Sequence, residues 1–147
     1  MELKGQYRFD APVARVWERL MDPATISACL PGCQRFEPAG DDRYQVVLTA
    51  GVAAITGTFE GTVTIADKLP ERSYRLIVEG KGRPGFATGE AHIELTPDDA
   101  RVVVDVAGAM TVGGLVAQVG QRLLGATARM MMDRFFKCLQ GKIAGAT

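Results

Sequence analysis

The sequence has no excess of either charge. Its 17 lysines and arginines balance 17 aspartates and glutamates, for a net charge of zero. Nucleic-acid binding depends on neutralising phosphates with a basic surplus, so that class is disfavoured. Aromatic residues are scarce at 7%, yet hydrophobic residues reach 47%, which fits a packed core and argues against disorder. No run of about 18 apolar residues is present, so no membrane-spanning helix is expected. The opening MELKGQYRFD is polar and lacks the apolar centre of a signal peptide. Cysteine is limited to Cys29, Cys33 and Cys138. An odd number with no export signal reads as free thiols in a reducing compartment, which points to the cytoplasm. Internal repeats and low-complexity linkers are also missing. The whole of residues 1–147 reads as a single domain, long enough to bury a core without a metal or a disulfide.

What is present is a regular succession of elements. Leu3 to Phe9 has the pattern of a first strand. Asp10-Ala11-Pro12 opens a helix, with Asp10 suited to cap it and Pro12 to its first turn. Val13, Val16, Trp17 and Leu20 share one face of that helix. A second short helix runs from Asp22-Pro23 to about Cys29 and is broken by Leu30-Pro31-Gly32. Extended segments follow at 34–38, 43–50, 54–66, 73–81, 86–95 and 101–110. They are separated by turn residues such as Gly40-Asp41-Asp42, Arg83-Pro84-Gly85 and Pro97-Asp98-Asp99, as in an antiparallel meander. A long helix is expected from about Gly114 to Ile143. Gln118, Arg122, Arg129, Asp133 and Gln140 form its one polar stripe, and Val119, Leu123, Leu124, Met130, Met131, Phe135 and Leu139 fill most of the rest. So wide an apolar girth requires heavy cover. A curved antiparallel sheet wrapped around this last helix, an α+β architecture, satisfies the order.

Strand alternation sorts the side chains into two faces. The inward face includes Gly57, Gly61, Gly80, Gly82, Ala87, Gly89, Ala91 and Gly108, a large share of small residues for a face that packs on a helix. Two readings stand side by side. The glycines permit close backbone approach or a sharp bend in the sheet, or the missing side chains leave a hollow of ligand size, roughly 300–1,000 Å³. In the second reading the wall comprises Phe59, Tyr74, Leu76, Val78, Ala91, Ile93, Val104, Val106 and Met110 from the strands. Leu123, Thr127 and Met131 complete it from the last helix. Phe86, at a hairpin tip, caps the opening, and Leu30, Pro31 and Gly32 form one lip of the mouth. Gly32→Val is then expected to weaken binding more than it lowers the melting temperature.

Acid–base groups are missing from this inward set. His92 is the only histidine, and it falls on the polar face between Glu90 and Glu94, so no catalytic residue is assigned. Tyr74 is the one polar group inside, either a core tyrosine or a donor to a ligand carbonyl. Cys29 and Cys33 alone make a poor zinc site, and no metal is expected. Arg83-Pro84-Gly85-Phe86 lacks the strand–loop–helix context of a phosphate loop and reads as a hairpin turn. Arg122, Arg129 and Arg134 form an exposed stripe, either solvated or facing a partner or lipid head groups.

Several motifs resemble a known family. Asp10-Ala11-Pro12-Val13-Ala14-Arg15-Val16-Trp17 resembles the opening of the START-like, polyketide-cyclase (SRPBCC) superfamily. Asp22-Pro23 with Ala28-Cys29-Leu30-Pro31-Gly32-Cys33 is similar to the carbon monoxide dehydrogenase G-subunit family. So are Gly57-Thr58-Phe59-Glu60-Gly61, the stretch from Gly113 to Gly120, and Phe135-Phe136-Lys137-Cys138-Leu139. The resemblance implies a helix-grip (Bet v 1-like) fold with an elongated apolar cavity under the C-terminal helix. It also implies an accessory role beside a molybdenum hydroxylase, outside the catalytic core, with membrane attachment and handling of a lipophilic electron carrier such as a quinone. Many members carry a linker and an apolar tail after the domain. This sequence stops at Thr147, so anchoring through a tail is not expected. Three functions follow: a non-enzymatic carrier of a quinone or other lipid, a small cyclase or hydrolase of apolar substrates, or a docking or maturation module with a filled interior. The first is favoured, with peripheral contact to the inner membrane and no cofactor beyond the carried ligand.

Overall fold

Glu2, Lys4, Gln6 and Arg8 alternate with Leu3, Gly5, Tyr7 and Phe9, a pattern that gives a strand one wet face. In the computed structural model, which describes residues 1–52 and 54–145, this segment is β1 (Glu2–Phe9). Two helices follow, α1 (Val13–Leu20) and α2 (Pro23–Cys29). Then come β2 (Cys33–Pro38), β3 (Arg43–Val52), β4 (Ile55–Leu69), β5 (Ser73–Gly82), β6 (Gly85–Asp98) and β7 (Arg101–Gly113). A short 3-10 helix (Leu115–Val119) precedes the long α3 (Gln121–Gly145). Of the domain expected over 1–147, Ala53, Ala146 and Thr147 lie outside the described residues.

The seven strands form one antiparallel sheet in the order β1-β7-β6-β5-β4-β3-β2. Short hairpins explain the meander from β2 to β7, and β1 closes against β7 with Leu3 opposite Gly108 and Phe9 opposite Val102. The sheet curves around α3 in the expected helix-grip arrangement. The main core lies at the closed end, where Phe9, Val16, Leu20, Val102, Val104, Phe136, Leu139 and Ile143 pack together. Three side-chain bonds tie α3 to the N-terminal elements. Tyr7 Oη donates to Asp133 Oδ1 at 2.6 Å, Gln140 Nε2 donates to the Arg8 carbonyl at 2.7 Å, and the Arg15 guanidinium donates to the Ile143 carbonyl at 2.9 Å. Asp133 and Gln140, expected on a polar stripe, therefore serve to dock the helix on β1. Burial first, and then the bond to Asp133, push the Tyr7 phenol above its ordinary range.

Four local expectations need correction. Asp10 does not cap α1, which begins after Pro12 with no side-chain cap. Its carboxylate instead meets Arg101 Nε at 2.7 Å, because the β7 pairing brings Arg101 beside the end of β1. The final helix does not run unbroken from Gly114. Gly120 adopts φ 95°, a conformation incompatible with a continuing helix, and α3 restarts after it. Leu123 and Met130 are not covered, being 47% and 42% exposed on the outer side of the restarted helix. Finally, Cys29 and Cys138 are not free thiols. They form a disulfide, with Cα atoms 5.4 Å apart, that joins the end of α2 to α3. Only Cys33 is free. The fold packs two segments 109 residues apart against each other, a proximity that spacing along the chain does not reveal. The case for a reducing compartment loses the support of these two cysteines.

The start of α2 matches its sequence signal. Asp22 Oδ1 accepts from the Ala24 amide at 3.3 Å and Oδ2 accepts from Thr25 Oγ1 at 2.6 Å, with Pro23 in the first turn. The Thr25 bond is the main reason that the Asp22 carboxyl titrates below the usual carboxylate range. A folded-state pKa below the unfolded one means that the contribution is present at neutral pH and fades as pH falls through the lowered value. Asp22→Ala should cost about 1 kcal/mol, measured by urea unfolding at pH 7, and the gap from wild type should shrink in acid.

Candidate functional site

The concave face of the sheet does not close completely on α3. Between them lies a cavity of about 340 Å³. Its floor is built by β4 (Phe59, Val63, Ile65), β5 (Tyr74, Leu76, Val78), β6 (Ala91, Ile93) and β7 (Val106, Met110). Met131, Met132, Phe135 and Phe136 of α3 form the roof, and Ile26 and Leu30 of α2 with Phe36, Val46 and Leu48 close one side. Leu3 and Leu20 complete the wall. Glu60, Glu79 and Glu90 border the cavity through their strands, but alternation turns their exposed side chains to the outer face. The side chains facing inward are hydrocarbon, aromatic or thioether, with Tyr74 as the polar exception. Among the described residues, no group of three His, Cys, Asp or Glu side chains is placed to hold a metal ion.

The glycines have a specific explanation. A Cβ on Gly61 would strike the Glu79 carbonyl oxygen and lie 2.6 Å from the Gly80 Cα. One on Gly82 would strike the Thr58 carbonyl oxygen, and one on Gly108 would lie 2.5 Å from the Glu90 carbonyl oxygen. At these positions neighbouring strand backbone crowds the place of a Cβ, which is the close approach of the first sequence reading. Gly61, Gly80, Gly89, Ala91 and Gly108 also line the cavity, so the second reading holds beside the first. Gly80 differs. A Cβ there meets only the Glu60 carbonyl oxygen at 3.8 Å, so this position has room.

Of the residues singled out in the sequence, Phe59, Tyr74, Leu76, Val78, Ala91, Ile93, Val106, Met110, Met131 and Leu30 line the cavity. The others stand elsewhere. Val104 is fully buried in the closed-end core, past the cavity floor. Leu123 is exposed and Thr127 is half-buried outside the wall, since the buried face of α3 is the one that carries Leu124, Phe136, Leu139 and Ile143. Phe86 does not cap the opening. Since Ala87 points inward, Phe86 points outward, and its ring covers Gly113 on the opposite face. Pro31 and Gly32 lie beside the wall rather than in it. Gly32 has φ 75°, its carbonyl accepts from the Thr49 amide at 2.9 Å, and a Cβ would strike the Thr49 carbonyl oxygen. Gly32→Val would therefore damage folding first, contrary to the expectation above. The residues missed were those of the other wall: Leu3, Leu20, Ile26, Phe36, Val46, Leu48, Met132 and Phe135. The same period-two alternation in Tyr44, Val46 and Leu48, and the i, i+4 spacing of Ile26 and Leu30, carried that signal.

Tyr74 is 4% exposed, and its ring meets the edge of Trp17 at a centroid distance of 5.7 Å. Its hydroxyl makes no hydrogen bond among the described residues. It is also not among the side-chain polar atoms sealed inside the protein without a partner. Burial pushes the phenol above its ordinary range. His92 is exposed on the outer face opposite Arg75, and Arg122, Arg129 and Arg134 are exposed on α3.

A family model for CoxG, the G component of carbon monoxide dehydrogenase, matches residues 5–144. Among solved structures, a conserved protein from Geobacillus kaustophilus is 37% identical, with 99% of this chain and 97% of that one covered and a TM-score of 0.95. A START superfamily protein from Mycobacterium smegmatis is 12% identical, covering 99% of this chain and 99% of its own, with a TM-score of 0.72. The Zhui aromatase/cyclase from Streptomyces sp. R1128 is 18% identical, covering 98% of this chain and 93% of its own, with a TM-score of 0.68. The last two likenesses are of fold alone. No match was found among curated protein sequences.

Proposed function

The chain belongs to the carbon monoxide dehydrogenase CoxG family, and on that premise we propose that it is a non-enzymatic accessory subunit of a molybdenum hydroxylase that carries a lipophilic molecule such as a quinone. The observation that carries this reading is the cavity of about 340 Å³ with a wall of hydrocarbon, aromatic and thioether side chains. Removing apolar surface from water contributes about 25 cal/mol per Å², so a ligand burying a few hundred Å² there gains several kcal/mol before entropic costs. A cyclase or hydrolase needs an acid–base group against its substrate. The wall supplies one phenol and no inward-facing carboxylate, imidazole or amine, so a paired acid and base is missing from it. A docking module needs no such hollow.

Loading and unloading a quinone requires contact with a membrane surface, so this role is peripheral to the inner membrane. No helix among the described residues is long and apolar enough to cross one. The test is a gently ionised mass spectrum of the purified protein, before and after incubation with menaquinone or ubiquinone. A complex of one quinone per chain is the expected result. Repeated absence of any lipid or quinone adduct, with no uptake of either quinone, would overturn the carrier reading.

A further inference from the structure

We infer that the cavity selects uncharged ligands bearing a hydrogen-bond acceptor, and that Tyr74 is the residue that reads that acceptor. This rests on the carrier reading and specifies the ligand class of the same site. Buried tyrosine hydroxyls normally find a partner. The Tyr74 side chain lines the cavity, is shielded from bulk water, and has no partner for its hydroxyl among the described residues. Like any tyrosine phenol it is protonated, and so a donor, at neutral pH. A carbonyl or ether oxygen placed against it satisfies both groups. A ligand hydroxyl at the same place leaves one of two hydrogens unpaired, since no other polar side chain faces the cavity. A carboxylate or phosphate brings a charge into a wall that holds no cationic side chain to meet it.

A matched set of phenylalkyl probes tests this: hexylbenzene, hexanophenone, 1-phenylhexan-1-ol and 6-phenylhexanoate, each titrated by displacement of N-phenyl-1-naphthylamine at pH 7.5. In the wild-type protein, hexanophenone should bind about 10-fold more tightly than the alcohol and at least ~100-fold more tightly than the carboxylate. In Tyr74→Phe, which retains the ring against Trp17, hexanophenone should weaken about 10-fold while hexylbenzene is unchanged. Taking each probe's ratio between the two proteins cancels its own cost of leaving water. Equal effects of Tyr74→Phe on the ketone and the hydrocarbon would overturn the assignment and leave the carrier reading standing. Equal wild-type affinity for ketone and carboxylate would overturn the selectivity with no variant needed. Failure of every probe to bind, together with failure of menaquinone uptake, would overturn both.

Discussion

Gly61→Ala should destabilise the protein by about 3 kcal/mol or more, whereas Gly80→Ala, its partner directly across β4 and β5, should leave stability unchanged or slightly raised. The two glycines face each other in register, yet their surroundings differ. The added methyl at Gly61 collides with the backbone of β5, and backbone held in a ladder has little room to retreat. At Gly80 the same methyl meets only the Glu60 carbonyl oxygen, at an ordinary contact distance of 3.8 Å, beside the cavity. At roughly 2–4 °C per kcal/mol for a chain of this size, Gly61→Ala should lower the melting temperature by about 10 °C. The complementary expectation concerns binding. Gly80→Val pushes bulk into the cavity and should weaken quinone uptake at least ~10-fold in a protein that melts normally. Comparable melting temperatures for Gly61→Ala and wild type would show that the β5 backbone does not crowd Gly61 as described. Normal quinone binding by Gly80→Val would place the ligand elsewhere.

The second large effect belongs to the Cys29–Cys138 disulfide. It closes a loop with a sequence separation of 109, and cross-links of that length remove enough freedom from the unfolded chain to contribute about 4–5 kcal/mol. Replacing both cysteines by alanine should therefore lower the melting temperature by roughly 10–15 °C. The bridge also sits where the walls of the cavity meet. Leu30 follows Cys29 directly, and Phe135 and Phe136 precede Cys138 on α3. Loss of the bridge should accordingly speed ligand release as well as unfolding. Thiol titration of the denatured, unreduced protein should find Cys33 alone, and all three cysteines after reduction. Three reactive thiols before reduction would remove the disulfide and both consequences.

Much of the fold was legible because the period of the apolar residues changes with the element. The alternation of Thr56, Thr58, Glu60, Thr62 and Thr64 with Phe59, Val63 and Ile65 identified both a strand and its inner face, and the same logic located Tyr74, Leu76, Val78, Ala91 and Ile93 on the cavity floor. Legibility failed where a residue's place depends on a distant segment. Asp10 has the chemistry of a cap, but Arg101 arrives from β7 to claim it. Phe86 sits at a turn, where the parity of a single residue decides which face an aromatic ring covers. Gly120 carries no mark distinguishing it from a helix glycine such as Gly125, yet its positive φ separates the 3-10 turn from α3.

By itself the sequence determined the order of elements and the polarity of each strand face, because these depend on residue type and on spacings within a single element. Only the tertiary structure decided that Cys29 meets Cys138, that several glycines sit against neighbouring strand backbone, and that a hollow remains beside a Tyr74 hydroxyl with no partner among the described residues. Those features arise from the distance between backbones far apart in the chain, and local periodicity carries no information about that distance.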